Sequence, residues 1–279
     1  MLKKFLAIAL GSLTSLYIAL CLLLFWGQKR LIFVPDSQIK STPAKYQLDY
    51  QDVWIDIGRE KIHGWWIPAA NESAPTMLYF HGNASNNGDV VDNAAVFHQL
   101  GLSTLLIDYR GYGKSSSAFP NETRVYEDAT AAWQYLTKIK QIEPDNIFVY
   151  GHSLGGAIAI ELASKQSNMA GLIVEGTFTS IREIGSSDPL FKFLPLNAIV
   201  TQRFDSIDKI AALEVPLLMF HGTDDEIISP EMAKKLFDKA PQPKKLVLIP
   251  QAGHDNLHKA GDPKYYIEPL KQFILENTQ

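Results

Sequence analysis

Short apolar segments alternate with longer amphipathic segments along most of this chain. Eight of the short segments have the length and the β-branched or aromatic content of strands. These predicted strands are Val53–Ile57, Ile62–Pro68, Thr76–His81, Ser103–Tyr109, Asn146–Gly151, Gly171–Glu175, Pro216–His221 and Lys245–Ile249. From the third onward they are apolar along almost their whole length, which is typical of strands buried on both faces of a parallel sheet. We therefore expect an α/β fold with a mostly parallel eight-stranded sheet flanked by helices.

Five helices are predicted between these strands. They are Asp89–Leu100, Arg124–Ile139, Gly155–Gln166, Pro230–Ala240 and Tyr265–Glu276. Only Gly58–Lys61 separates the first two strands, so we expect these two strands to form an antiparallel hairpin at the edge of the sheet. Ligands of such folds bind beyond the carboxyl ends of the strands, and the residues that follow the strands are therefore the candidates for function.

The N-terminal segment Phe5–Trp26 carries no charge over 22 residues. A helix needs roughly 20 apolar residues to cross the hydrocarbon core of a bilayer, so this segment is long enough to span. A cleaved signal peptide has a shorter apolar core and a small-x-small cleavage site, and no such site follows this run. We therefore expect a single-pass membrane protein with an anchor at residues 1–30 and one folded domain at residues 31–279.

Basic residues flank both ends of the predicted anchor. Lys3 and Lys4 precede it, and Lys29 and Arg30 follow it. Because both sides carry similar positive charge, the positive-inside rule specifies the orientation only weakly. We expect the N-terminus inside and the folded domain outside the cytoplasm.

Composition excludes several kinds of function. The net charge of −4 lacks the basic excess that is typical of proteins that bind nucleic acid. Cys21 is the only cysteine, which excludes an internal disulfide framework and a multi-cysteine zinc site. We expect no metal and no cofactor, and the sequence leaves protein partners open.

The most specific motif is GHSLGG at residues 151–156, between the apolar strand IFVY and the helical segment AIAIELA. This is the G-x-S-x-G pattern in the strand–turn–helix context of a nucleophile elbow. The turn is tight and strained, so small residues must flank the serine, and Gly151 and Gly155 supply that space. The motif predicts Ser153 as a nucleophile.

A serine hydroxyl needs a base, and in this fold the order along the chain is serine, acid, histidine. Only His254 and His258 follow the last predicted strand, and His254 lies in the first loop after it. We therefore predict His254 as the base.

The residues alone leave the acid that orients His254 open. Asp224, Asp225 and Glu226 are consecutive after the seventh strand, and Glu175 follows the sixth. One carboxylate should contact the histidine and the others should be solvated or cap a turn. Chemistry and spacing leave the four open.

Backbone N–H groups are expected to form an oxyanion hole. One donor is the residue after the nucleophile, Leu154. The second should come from the loop HGNA after the third strand, where Gly82 allows close approach and the N–H of Asn83 is the natural donor. We expect His81 to order this loop.

Five motifs in this order resemble the α/β-hydrolase superfamily across Val53–Glu276, in particular membrane-anchored α/β-hydrolase domain-containing proteins with an HGN oxyanion loop and a short cap. They are FHGNASN from Phe80, DYRGYGKS from Asp108, GHSLGG from Gly151, HGTDDEII from His221 and AGHDNL from Ala252. The family's acid is the fifth residue of the HGTxD motif, so the resemblance implies Asp225. It also implies that DYRGYGKS borders the active site, and we expect Arg110 and Tyr112 there to be structural.

The resemblance places a short cap at about 177–207. Four apolar residues of this cap are predicted to contact substrate: Phe178, Phe191, Phe193 and Leu196. We therefore expect a serine hydrolase that cleaves esters or thioesters of medium or long, lipid-like acyl groups through an acyl-enzyme. Two alternatives stay open: an aminopeptidase-like amide hydrolase of the same fold, and a non-catalytic binding protein that has kept the fold.

Overall fold

The computed structural model describes residues 1–255, 257–260 and 262–278 and contains one sheet of eight strands. The strands are β1 Gln51–Ile57, β2 Glu60–Ile67, β3 Thr76–Phe80, β4 Ser103–Asp108, β5 Ile147–His152, β6 Gly171–Glu175, β7 Leu217–Gly222 and β8 Lys244–Ile249. They lie side by side in the order β1-β2-β4-β3-β5-β6-β7-β8. All eight predicted strands are confirmed, and from the third onward they are the continuous apolar runs that mark buried strands.

Pairing within the sheet follows the expected pattern. β1 pairs with β2, and β2 with β4, in antiparallel fashion, whereas the other neighbours are parallel. The predicted hairpin therefore forms one edge of the sheet. The carboxyl ends of the parallel strands meet along the same side, where β5 pairs His152 with Glu175 of β6. The loops after β3, β5, β7 and β8 are thereby brought together.

Helices cover both faces of the sheet. In chain order they are α1 Leu2–Ile32, α2 Val91–Gln99, α3 Glu122–Gln134, α4 Leu154–Ala163, α5 Ile181–Ser187, α6 Leu196–Ile199, α7 Ser206–Lys209, α8 Pro230–Lys239 and α9 Ile267–Asn277. Leu78 and Phe80 of β3 pack with α3, α4 and α8 on one face. Met77 and Tyr79 point the other way and pack with α2 and α9. This alternation is the two-residue period of a strand.

The five predicted helices correspond to α2, α3, α4, α8 and α9. The predicted helix at Arg124–Ile139 is divided, since α3 passes into a π-helical turn at Tyr135–Ile139. Between β6 and β7, the predicted cap contains the short helices α5, α6 and α7. The side chain of Ser180 caps α5 by accepting a hydrogen bond from the N–H of Glu183 at 3.1 Å.

Helix α1 is a single helix of 31 residues, long and apolar enough to cross a membrane. Residues 2–20 are exposed throughout. In its last three turns, one face is partly or fully buried against the rest of the protein, through Cys21, Leu24, Gln28 and Ile32. These residues recur at the three- and four-residue spacing of one helix face.

No linker separates α1 from the folded domain. The helix ends at Ile32, two residues beyond the predicted end of the anchor. The next residue, Phe33, is 1% exposed and lies in the main hydrophobic core, where its ring centroid is 5.9 Å from that of Phe204. The orientation of the helix is therefore fixed relative to the sheet.

Candidate active site

Ser153 occupies the turn between β5 and α4 with φ 52° and ψ −116°. This backbone conformation is strained for any residue with a Cβ. The turn is held by the N–H of Ser153, which donates to the carbonyl of Glu175 at 2.8 Å. A Cβ on Gly151 would overlap the carbonyl of Gly155, and a Cβ on Gly155 would overlap that of Phe80. The glycines of the motif are therefore required for the turn to form.

Three predicted residues form one hydrogen-bonded chain. Ser153 Oγ lies 3.0 Å from Nε2 of His254, and Nδ1 of the same ring lies 2.7 Å from Oδ2 of Asp225. An Nδ1–H that donates to a carboxylate leaves Nε2 free to accept the serine proton. The residues come from the loops after β5, β7 and β8, at the carboxyl side of the sheet.

The carboxylate of Asp225 accepts several hydrogen bonds. Its Oδ1 accepts from the N–H groups of Ile227 at 2.9 Å and Ile228 at 2.8 Å. Its Oδ2 lies 3.2 Å from Nε2 of His221 in addition to its contact with His254. Burial raises the pKa of this carboxyl, but hydrogen bonds from the two histidines and from the Ile228 N–H outweigh burial and hold the pKa below its ordinary value. Asp225 is therefore a fixed anion beside the imidazole.

The other candidate acids make different contacts. Asp224 is exposed, and its Oδ1 accepts a hydrogen bond from the hydroxyl of Thr223 at 2.8 Å. Glu226 is also exposed. Of the four acids left open by the residues, Asp225 is the one that contacts His254.

Glu175 is buried beside Tyr150 and Tyr266, which pack on the face of the sheet that α2 and α9 cover. Its carboxylate is hydrogen-bonded to the hydroxyls of Tyr150 and Tyr266. Burial raises the pKa of Glu175 to about 8, although the hydrogen bond from Tyr266 lowers it. At neutral pH this side chain is a neutral member of a polar cluster and not an anion that could orient an imidazole.

His152, the residue before Ser153, contacts the loop that carries His254. Its Nε2 lies 3.1 Å from the carbonyl of His254. Burial, together with the neighbouring imidazole of His254, lowers the pKa of His152 to about 4. A neutral His152 donates to the backbone of the base and fixes the position of its loop. The motif marks position 152 only as a spacer, so sequence analysis missed this contact.

The predicted oxyanion donors border the nucleophile. Leu154 is the first residue of α4, where backbone N–H groups have no partner inside the helix. The N–H of Asn83 donates to no acceptor within the described part of the chain. Gly82 permits the loop of Asn83 to pack closely against the turn at Ser153, since a Cβ on Gly82 would lie 2.9 Å from Nδ1 of His152.

The loop that carries Asn83 is held by buried groups. The Nδ1 of His81 lies 2.8 Å from the carbonyl of Gly82, and the hydroxyl of Tyr109 donates to the carbonyl of His81 at 2.9 Å. The Tyr112 hydroxyl donates to Oδ1 of Asn83 at 2.8 Å. Both His81 and Tyr112 therefore shape the loop, as expected.

Arg110 is structural as well. Its guanidinium is 4% exposed and pairs with Asp128 at 2.6 Å, Glu60 at 2.8 Å and Glu127 at 2.7 Å. These three carboxylates account for its charge, and Arg110 is not among the residues that line the cavity at Ser153. The DYRGYGKS segment thus stabilises the fold beside the site.

An apolar cavity of about 410 Å³ opens onto Ser153. Its volume lies within the usual range of ligand pockets. Three of the four predicted substrate-contacting residues line it, namely Phe178, Phe191 and Leu196. Phe193 does not: it is 83% exposed and lies outside the cavity, so its side chain is not part of this pocket. The cap is irregular around 191–194, and periodicity could not separate inward from outward residues there.

One group of described residues could approach a metal ion: nitrogen and oxygen atoms of His152, His254 and Asp255 lie within 4.8 Å of one another. The two ring nitrogens of His254 are engaged by Asp225 and Ser153. Ligation through His254 would therefore break the hydrogen-bonded chain. The ring nitrogens of His254 are therefore better explained as members of the Asp225–His254–Ser153 hydrogen-bonded series than as metal ligands.

Comparison with known proteins agrees with this fold. A family model described as serine aminopeptidase, S33, matches residues 71–207 and 186–260. An uncharacterised protein of Mycobacterium tuberculosis is 30% identical over 99% of this chain and 98% of its own length. The α/β-hydrolase domain-containing protein WAV2 of Arabidopsis thaliana is 32% identical over 76% of this chain and 75% of its own.

Solved structures show the same architecture at low sequence identity. An esterase of Pyrococcus furiosus, Pf2001, superposes with a TM-score of 0.72 at 19% identity, over 89% of this chain and 98% of that one. A puromycin-hydrolysing peptidase of Mycobacterium tuberculosis superposes with a TM-score of 0.69 at 17% identity, over 83% of this chain and 40% of that one. The chain belongs to the α/β-hydrolase superfamily, and its family and fold are those of hydrolases.

Proposed function

We propose that this protein is a serine hydrolase that cleaves carboxylic esters or thioesters of apolar acyl groups. The observation that carries the proposal is the hydrogen-bonded chain from Asp225 through His254 to Ser153, which opens onto an apolar cavity. A nucleophile, a base and an orienting acid at these distances are the requirements of acyl transfer.

In the proposed mechanism, Ser153 Oγ attacks the acyl carbonyl while Nε2 of His254 takes its proton. Asp225 holds the imidazole in the required tautomer and stabilises its positive charge. The N–H groups of Leu154 and Asn83 stabilise the oxyanion. His254 then gives its proton to the leaving alcohol or thiol, and a water molecule deprotonated by His254 releases the acyl group.

A peptidase is the second candidate, because the matching family model is described as a serine aminopeptidase and one similar fold belongs to a peptidase. An aminopeptidase must bind a free ammonium group, and burying that charge requires a partner of opposite charge. Among the described residues that line the cavity, none is acidic. The lining therefore favours an uncharged acyl group.

The first experiment is labelling with a fluorophosphonate probe, which reacts with activated serines. We expect the wild-type protein to be labelled and Ser153→Ala not to be, with Ser164→Ala as a control that is labelled like wild type. Absence of labelling in wild type would indicate a binding protein that has kept the fold. Labelling of Ser153→Ala would show that the nucleophile lies elsewhere.

The second experiment compares acyl groups and leaving groups. Esters and thioesters from acetyl to palmitoyl, together with aminoacyl amides, would be assayed with full-length protein in detergent. We expect kcat/KM to be higher for medium or long acyl chains than for acetyl. A preference for aminoacyl amides over every ester would replace the proposal with the peptidase.

Helix α1 is compatible with a single-pass anchor, and we propose that the folded domain lies outside the cytoplasm. Cys21 is the only cysteine of the chain, so Asp238→Cys adds one thiol on the exposed side of α8. A membrane-impermeant maleimide should label this variant in intact cells. Labelling only after cell lysis would place the domain in the cytoplasm.

A further inference from the structure

The last turns of the membrane helix form part of the wall of the cavity at Ser153. Leu24, Gln28, Leu31 and Ile32 of α1 line the same cavity as the nucleophile. They are spaced by four, three and one residues, so they share one face of the helix. The helix that anchors the chain is thus also a surface of the candidate acyl site.

A buried polar side chain fixes this helix to the cap. Gln28 is 7% exposed, and its Nε2 donates to the carbonyl of Ile199 at 3.0 Å. Its Oε1 accepts from the N–H groups of Thr201 at 2.7 Å and Gln202 at 3.1 Å. A buried amide is costly unless it is hydrogen-bonded, so these contacts favour one position of the helix against the cap.

The tip of the cap lies beside the membrane-spanning part of the helix. The hydroxyl of Tyr17 donates to the carbonyl of Phe193 at 2.9 Å. Tyr17 is nine residues before Trp26, which places it about 14 Å deeper along the helix axis. Leu190 and Phe193 at this tip are 82% and 83% exposed. Apolar side chains exposed at this depth would contact lipid and not water.

We infer that α1 is part of the acyl-binding site, and that the acyl chain of the substrate passes from the bilayer into the cavity between α1 and the cap. This inference rests on the proposed hydrolase function. It names the substrate class as a membrane-resident acyl lipid or lipidated molecule, because the cavity is bounded by the membrane helix and by the cap that lies against it. The bond that breaks is the acyl ester or thioester bond, and water supplies the hydroxyl group.

A pair of matched variants tests the role of the helix. Leu24 is half-buried and lines the cavity, whereas its neighbour Leu23 is 68% exposed on another face. In full-length protein in detergent, Leu24→Trp should narrow the cavity and lower kcat/KM for a palmitoyl ester relative to an acetyl ester by about tenfold or more. Leu23→Trp should leave this ratio at the wild-type value. Leu24→Ala, which widens the cavity, should shift the preference towards longer chains.

The rate of fluorophosphonate labelling separates the outcomes. One outcome is that Leu24→Trp, Leu24→Ala and Leu23→Trp all keep the wild-type ratio of kcat/KM for palmitoyl and acetyl esters, with normal labelling and ester hydrolysis. This outcome would overturn the role of the helix and would leave the proposed function standing. Absence of both labelling and hydrolysis in wild type would overturn the proposed function itself. Reduced labelling in Leu24→Trp alone would indicate a disturbed fold. The chain-length preference of Leu24→Ala would then decide whether the helix contacts the acyl group.

A second variant tests the path from the bilayer. Leu190→Asp places a charge on the exposed tip of the cap, away from the cavity. It should lower the hydrolysis rate of a long-chain ester embedded in phosphatidylcholine vesicles that contain the protein, and leave the hydrolysis of a water-soluble acetyl ester unchanged. Equal rates on the embedded ester for Leu190→Asp and wild type would show that the cap tip does not guide the substrate.

Discussion

The side-chain amide of Asn83 donates a hydrogen bond of 2.6 Å to the carbonyl of Ile32, the last residue of α1. The same side chain accepts from the N–H of Val34 at 2.9 Å and from the hydroxyl of Tyr112 at 2.8 Å. Carbonyl groups at a helix end lack partners inside the helix, and Asn83 satisfies one of them. These hydrogen bonds therefore hold the loop that we propose binds the oxyanion against the C-terminal end of α1.

Asn83→Ala should therefore lower kcat, although the proposed donor is a backbone group that alanine retains. Loss of three hydrogen bonds frees the loop, and we expect about a tenfold decrease in kcat with a small change in KM. Tyr112→Phe removes one of the three bonds and should have a smaller effect. Steady-state kinetics on a short-chain ester measure both. A larger loss in Tyr112→Phe than in Asn83→Ala would show that the Tyr112 hydroxyl acts through something other than Asn83.

The assignment of the acid can be tested by a pair of adjacent substitutions. Asp225→Asn should reduce kcat by roughly 10²- to 10⁴-fold, since an amide neither stabilises the imidazolium nor enforces the tautomer of His254. Asp224→Asn, at an exposed neighbour, should keep nearly wild-type activity. If the two variants lose activity to the same extent, Asp225 is not the orienting acid.

Activity should fall as the pH is lowered into the mildly acidic range. A protonated His254 cannot accept the proton of Ser153. Asp225 should not contribute to this loss, because hydrogen bonds hold its pKa below the ordinary value and it stays ionised. His152 has a pKa of about 4 and stays neutral over the same range. The pH profile of kcat/KM should therefore follow a single ionisation, and a profile that is flat from mild acid to neutrality would contradict the role of His254.

Glu175 should make the protein less stable as the pH rises. Its ordinary pKa is 4.5 and burial raises it to about 8, so the folded state holds a proton that the unfolded chain releases between these values. The free energy of unfolding should therefore fall from pH 4.5 to pH 8. Glutamine is neutral at every pH, so Glu175→Gln should reduce the decrease in the free energy of unfolding between pH 4.5 and pH 8 by a few kcal/mol. Urea unfolding at several pH values measures it, and Glu226→Gln, at an exposed site, should keep the wild-type slope.

Much of the fold could be predicted because its strands are buried on both faces. Continuous apolar segments such as IFVY and LLMF mark the strands, and the glycines of GHSLGG mark the tight turn between β5 and α4. The positions of Ser153 and His254 follow from these elements, since both lie in loops after strands of the sheet.

The remaining parts of the site depend on the direction in which individual side chains point, which local sequence patterns do not specify. Consecutive acids after β7 differ only in which way the loop turns each side chain, and Asp225 is the one that turns inward. Glu175 ends β6 with its side chain towards Tyr150, which follows from the pleat and register of the strands. In the cap, Phe191 and Phe193 differ by two residues, and only the first lines the cavity.

The contact between the anchor and the cap was missed for a different reason. Gln28 lies between the uncharged segment and the basic residues Lys29 and Arg30, and the sequence analysis assigns it no role. The available signal was that Gln28 shares a helix face with Leu24 and Ile32, which is unusual for a residue that only marks the membrane surface. Its partners are more than 170 residues away in the chain, and no local pattern reveals them.

With α1 in a bilayer as proposed, its direct continuation into the core through Phe33 should hold the folded domain beside the membrane. Diffusion of the proposed enzyme would then be two-dimensional, and Ser153 would stay at a constant height relative to the lipid. Its rate should then follow the mole fraction of substrate within the membrane, and dilution of the vesicles in buffer should leave that rate unchanged.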